Sequence, residues 1–211
     1  MTAILLVWGL WLVFTAPPDF QQGVTVRIMY VHVPSAKMSL LVYILLIVAS
    51  VIFLWKGSDW SDRLLEAAAP VGALFTAVTL VTGSIWGKPM WGAWWAWDAR
   101  LTSMLVLLIL YAGLIALRSA FDDVRRAART TAVMVLVGAV DLPIIHYSVQ
   151  WWRTLHQPAS FNSQVGSSIA APLLWPLIVM TAAFLTLGCY MVLLRFRLVT
   201  VQRRLEQIEE G

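Results

Sequence analysis

The chain has 211 residues, 60% hydrophobic and 12% charged, with a formal net charge of +4 and a mean hydropathy of +0.79. Those proportions exclude a soluble domain and describe an all-α, polytopic membrane protein. The basic excess does not mark nucleic-acid binding, because the Lys and Arg residues sit beside predicted spans. Cys189, the single cysteine, lies in an apolar run, which excludes a disulfide, a CxxC pair and a CxxCH attachment motif.

In chain order, residues 2–16 are apolar and end at Pro17 and Pro18. They extend only about 22 Å as a helix, against a hydrocarbon core of about 30 Å. With no positive n-region and no clear A-x-A site they read as a short first span, not as a cleaved signal. A mixed loop from Asp19 to Pro34 precedes span two, 35–55, with Pro34 fitting the first helical turn and His32 just outside it. Span three covers 67–85 and is rich in Ala, Gly and Thr, as helix contacts in membranes often are. A tryptophan-rich amphipathic helix is expected over 86–100, beginning near Pro89. Span four covers 101–117 and span five 130–147, with a charged connection at 118–129 between them. A long polar loop, 148–171, leads to span six at 173–194 and a charged tail at 195–211. The tail carries a stripe of Leu198, Val201, Leu205 and Ile208, either a membrane-surface helix or a docking face for a cytoplasmic partner.

Six spans put both termini on one side. That side holds Lys56, Arg63, Arg118, Arg125, Arg126, Arg129, Arg195, Arg197, Arg203 and Arg204, and the other holds Arg27, Lys37, Lys88, Arg100 and Arg153. The richer side is cytoplasmic by the positive-inside rule. The loops carrying His32, the tryptophans and His156 therefore converge on the outer side.

Five of the 12 tryptophans fall between Trp86 and Trp97. On a helix Met90, Trp91, Trp94, Trp95 and Trp97 share one face, with Asp98 inside it. An interfacial aromatic belt is one reading, Asp98 then merely capping the next helix. A platform for a large flat apolar ligand is the other. The spelling Trp86-Gly-x-x-x-Trp91-Gly-x-Trp94-Trp95-x-Trp97-Asp98-x-Arg100-Leu-Thr102 resembles the WWD signature of heme-handling membrane proteins of cytochrome c maturation. Arg27-Ile-Met-Tyr-Val-His-Val-Pro34 and Trp151-Trp-Arg-Thr-Leu-His-Gln-Pro158 narrow the resemblance to the CcmC family, from about Arg27 into the sixth span.

That resemblance implies that His32 and His156 are the axial ligands of a heme b iron, and that Trp86, Trp91, Trp94, Trp95, Trp97 and Asp98 form the heme platform. His146, the third histidine, lies outside both motifs and is assigned no ligand role. Heme propionates are anionic, so Arg100 and Arg153 are the expected cations beside them, with Lys88 and Arg27 read as snorkelling interfacial residues. Asp141, an intramembrane carboxylate two residues before Pro143, is either functional or a protonated, hydrogen-bonded group at a Pro-broken turn.

Gly83 to Lys88 has the wrong spacing for a P-loop, and no protease or hydrolase pattern appears, so no enzyme activity is expected and a partner would hydrolyse any ATP. By resemblance, the protein holds heme at the periplasmic face of a bacterial inner membrane and delivers it to the periplasmic chaperone CcmE. The small subunit CcmD, the ABC transporter pair CcmA and CcmB, and membrane lipid are the other implied partners. The rivals are a transporter passing heme through its own spans and an enzyme ligating heme to apocytochrome.

Overall fold

The computed structural model describes residues 1–156, 161–162, 166–167 and 169–209. Seven helices follow one another: α1 (Thr2–Thr15), α2 (Met29–Lys56), α3 (Asp59–Trp91), α4 (Ala99–Ser119), α5 (Val124–Gly138), α6 (Asp141–Trp151) and α7 (Ala171–Glu209). A 3-10 turn at Val24–Ile28 leads into α2, and two short strands, β1 (Phe161–Asn162) and β2 (Gly166–Ser167), pair antiparallel before α7. Five stretches are long and apolar enough to cross a membrane: Val24–Lys56, Asp59–Trp91, Ala99–Ser119, Val124–Trp151 and Ala171–Glu209. At 14 residues, α1 falls short of that length, though it packs along α7.

Several expected boundaries move, each for a local reason. The tryptophan helix expected over 86–100 does not form. Instead α3 runs on through Pro89 to Trp91 and stops at Gly92, whose φ of +77° closes the helix in the left-handed region, with its N–H on the Lys88 carbonyl at 3.0 Å. Residues 93–98 are irregular, and α4 starts at Ala99. Pro89 therefore lies near the end of a helix and not at its start. α2 begins at Met29, so His32 and Pro34 are both helical and His32 is not in a loop. Lys56 to Glu66, a short charged connection by sequence, is mostly helical, and only Gly57 and Ser58 separate α2 from α3, because Gly57 adopts φ +60° and turns the chain directly into α3.

Span five is two helices. Pro143 has no N–H for the Ala139 carbonyl, which instead accepts from Leu142 at 3.2 Å, and the helix breaks at Ala139–Val140. Span six and the tail are one 39-residue helix, about 58 Å long at 1.5 Å per residue.

The core is built on close approach at small residues. α2 lies against α3 over most of its length, with α4 and α7 on the other sides of α3 and α5 against α2 and α4. Tyr43 and Tyr111 meet edge to face at 5.4 Å and donate across helices, Tyr43 to the Val135 carbonyl at 3.2 Å and Tyr111 to the Ser39 carbonyl at 2.7 Å. Gly138 and Gly72 leave the room those two rings occupy. At the far end from the tryptophans, Asp62 and Glu66 of α3 pair with Arg118 of α4 and Arg203 of α7. Asp62 is buried there. This network ties three helices together where α7 leaves the bundle.

Candidate functional site

At the other end, α2, the end of α3, the irregular segment before α4 and the segment after α6 bring two histidines into one neighbourhood. The His32 Nδ1 lies 3.1 Å from the Thr79 carbonyl and 3.1 Å from Thr82 Oγ1. A carbonyl only accepts, and the Thr82 hydroxyl already donates to the Val78 carbonyl at 2.7 Å. Nδ1 must therefore carry the proton, and the Nε2 lone pair is left unclaimed. The ring stands edge-on to Trp86 at 5.7 Å, and Trp86 is itself fixed by donating to Gln22 Oε1 at 3.0 Å.

His156 is held in the same sense. Its Nδ1 lies 3.1 Å from Asp98 Oδ2, a carboxylate oxygen that accepts, so Nδ1 donates and Nε2 again has no partner among the described residues. The ring is edge-on to Trp91 at 4.9 Å. Gly87 makes room for the Trp91 ring and the Ala93 carbonyl to fold back over α3. Burial pushes the His156 imidazole below its ordinary value, and the hydrogen bond and charge of Asp98 oppose that only in part. The lowered value leaves the ring neutral at pH 7.

Asp98 does two jobs. Oδ1 caps α4 by accepting from the Leu101 N–H at 2.8 Å, while Oδ2 accepts from the His156 ring and from the Leu155 N–H at 3.3 Å. The capping reading holds, and the same carboxylate also binds the His156 ring. Arg100, two residues on, donates from Nε to Ser148 Oγ at 3.3 Å and is near enough for its charge to reach both histidines.

The remaining expected residues are placed less tightly. Trp95 stands edge-on to Trp97 at 5.5 Å, while Trp94 and Trp97 are 58% and 78% exposed. Arg153 is exposed, and His146 is exposed with its ring against Tyr147 at 4.7 Å. Lys88 Nζ closes onto the Gly92 carbonyl at 3.1 Å at the end of α3, and Arg27 donates to the Phe14 carbonyl at 3.0 Å, tying the 3-10 turn to the end of α1. Gln157 and Pro158 of the second motif lie outside the described residues.

Sequence reasoning missed Thr79, Thr82, Gln22 and Ser148, all of which fix a site residue. Thr82 sits four residues before Trp86 on a helix, one turn away on the same face, which is the one signal available for it. It also missed two buried polar atoms with no partner among the described residues, Trp95 Nε1 and Thr154 Oγ1. Both lie in the segments that carry Asp98 and His156.

A family model described as heme exporter protein C, CcmC, matches residues 1–210. Heme exporter protein C of Bradyrhizobium diazoefficiens is 49% identical over 208 residues, covering 99% of this chain and 79% of that protein. The protein of the same name in Escherichia coli K12 is 49% identical over 195 residues, covering 92% and 78%. A ccmC-like mitochondrial protein of Marchantia polymorpha, named for cytochrome c biosynthesis, is 45% identical over 194 residues, 92% and 81% of the two chains. The chain belongs to the heme exporter protein C family of cytochrome c biogenesis.

Proposed function

We propose that this protein holds heme b between His32 and His156, against Trp86 and Trp91, and passes it to a periplasmic heme chaperone during cytochrome c biogenesis. The observation that carries the reading is the matched pair of imidazoles. Each has Nδ1 engaged by a fixed acceptor, each leaves Nε2 without a partner among the described residues, and each has a tryptophan edge-on beside it. Among the described residues no three His, Cys, Asp or Glu side chains group as a metal cage. Two imidazoles therefore suit a metal that arrives with its remaining ligands, as iron in a porphyrin does. Arg100, Arg153, Trp95 Nε1 and Thr154 Oγ1 are the donors for the propionates, and Trp94, Trp97 and Asp98 complete the surround.

Heme is cargo in this reading, and the protein's part is to orient two ligands and exclude water from one face. α1 together with the five longer stretches makes six spans, with the histidine end facing the periplasm of a bacterial inner membrane and both termini in the cytoplasm. The partners in this reading are CcmE as acceptor, CcmD as small subunit, and CcmA with CcmB as the ATP-hydrolysing pair. No catalytic step is assigned to this chain.

The break between α5 and α6, beside buried Asp141, favours a second reading in which heme crosses within the spans. Transporters built that way break helices in pairs near the midplane. Among the described residues, Val124–Trp151 is the one candidate span divided into two α-helices.

The test is heme titration of the purified full chain, with the axial ligands read by absorption and electron paramagnetic resonance. His32→Ala and His156→Ala should each lose the six-coordinate low-spin spectrum and regain it with added imidazole, while His146→Ala should match the parent. A parent-like spectrum from His156→Ala, with rescue needed by His146→Ala, would overturn the assignment.

A further inference from the structure

The end of the bundle opposite the histidines carries a second concave feature. A cavity of about 650 Å³ opens between the last turn of α2 and the first two turns of α5. Lys56, Arg125, Arg126 and Arg129 line it, with Asp123 as its one acidic residue. The Asp123 carboxylate is already used, since Oδ1 caps α5 by accepting from the Arg126 N–H at 2.8 Å. Among the described residues none of the four cations has a carboxylate within ion-pair distance, whereas Arg118 and Arg203 at the same end are paired internally with Asp62 and Glu66. The chain thus neutralises some of its cations at this end and leaves four gathered around one hollow.

The remaining wall is apolar. Phe53, Leu54 and Trp55 complete the cavity, with Trp55 80% exposed and Lys56 lying over its ring at 5.2 Å. These residues close the candidate span Val24–Lys56, so the hollow sits where hydrocarbon gives way to headgroups and its apolar wall runs down toward the acyl region. Gly57 turns the chain with φ +60°, and a Cβ there would lie 3.1 Å from Arg125 Nη2, so the tight turn lets the guanidinium close over the rim.

We infer that this cavity binds the headgroup phosphate of an anionic membrane lipid, the four cations gripping the phosphate and Phe53, Leu54 and Trp55 lying along the first acyl carbons. Charge and shape both enter the argument. Unpaired cations beside a span attract anionic headgroups, and guanidinium groups grip phosphate oxygens through paired N–H donors. A soluble phosphate would have no use for the apolar wall. The inference is independent of the heme reading, because no residue of that site takes part.

The test uses the full chain purified in a nonionic detergent, with retained lipid counted by native mass spectrometry after adding dioleoylphosphatidylglycerol or dioleoylphosphatidylcholine. The parent should retain the anionic lipid at least tenfold better. K56Q/R129Q should remove that preference, while R195Q/R197Q, which takes two charges from the same end outside the cavity, should keep it. A melting curve of each variant checks that the bundle is intact, and K56R/R129K should rescue lipid selectivity if the site needs charge. Competition by millimolar inorganic phosphate to the same extent as by the lipid would make this a free-phosphate site and overturn the lipid assignment. Equal loss in the two charge-removal pairs would reduce it to diffuse surface charge. Equal retention of both lipids by the parent would also overturn it, leaving the cations to an acidic protein surface.

Discussion

His156 and His32 are held through Nδ1 by different partners, a carboxylate for one and a backbone carbonyl with a threonine hydroxyl for the other. The carboxylate makes His156 the more basic ligand and the more sensitive to its neighbour. Asp98→Ala removes both the cap of α4 and the partner of His156. The cap loss should cost about 1 kcal/mol, while the heme spectrum should shift as strongly as in a ligand variant. Acid should act on the same residue in a defined window. Burial lowers His156 below its ordinary value of 6.5, so the neutral ring persists as pH falls through 6.5 and is lost only at the lower, folded value. Heme retention through His156 should therefore be flat from pH 8 to 6.5 and decline below, and a midpoint above 6.5 would contradict the burial seen here. Gly83 offers a sharper separation of site from fold. A Cβ there would meet His32 Cε1 at 3.0 Å, so Gly83→Ala should disturb the ring. The same change favours a helix interior by roughly 0.5–1 kcal/mol. Thermal stability held or raised, together with an altered heme spectrum, is the expected pair of readings.

At the scale of elements, Gly92 divides the tryptophans into two groups. Trp86 and Trp91 belong to α3 and stand beside the histidines, while Trp94, Trp95 and Trp97 ride on the irregular segment that follows. Burying one large side chain contributes about 1.5–3 kcal/mol, about ten- to a hundredfold in affinity. Trp86→Ala or Trp91→Ala should lose heme affinity by that factor, and Trp97→Ala by less, as equilibrium titration would measure. The one-face argument for a tryptophan helix failed because helical periodicity says nothing about a glycine that can adopt positive φ. The five long apolar helical stretches were legible from hydropathy, and Asp98 as a cap was legible from its type and place. The Asp98–His156 bond was not, because the two residues are 58 apart in sequence. Nor was the Thr79 contact, in which a backbone carbonyl does the work and the side chain carries no signal.

For the whole molecule, the charge network of Asp62, Glu66, Arg118 and Arg203 fixes α7 against α3 and α4 after the helix has run most of its length. Removing one member of a buried pair costs about 3–5 kcal/mol, and the lower end applies here because Glu66 is part-exposed. A chain stopped at Thr200 lacks Arg203 and should melt at a lower temperature in detergent. Leu205→Ser with Ile208→Ser, which leaves the network intact, should not. Membrane association or partner binding altered by the second pair alone would then report on the exposed apolar stripe itself. The two roles of the tail are separable because Arg203 lies between the two halves of the stripe, so that Leu205 and Ile208 can be changed without touching the network.

The Nδ1 protons of both histidines have a consequence for the energetics of exchange. Neither ring has to lose a proton, gain one or change tautomer when cargo arrives or departs, since Nε2 is unclaimed in the protein as it stands. Metal sites assembled from protonated ligands discharge protons on loading, and their affinity then follows the acidity of the medium. Loading here should be proton-neutral at pH 7. Calorimetric enthalpies of heme uptake measured in phosphate and in Tris, whose heats of ionisation differ widely, should coincide. The handover step would then carry no proton inventory of its own, and its rate should be indifferent to deuterium in the solvent.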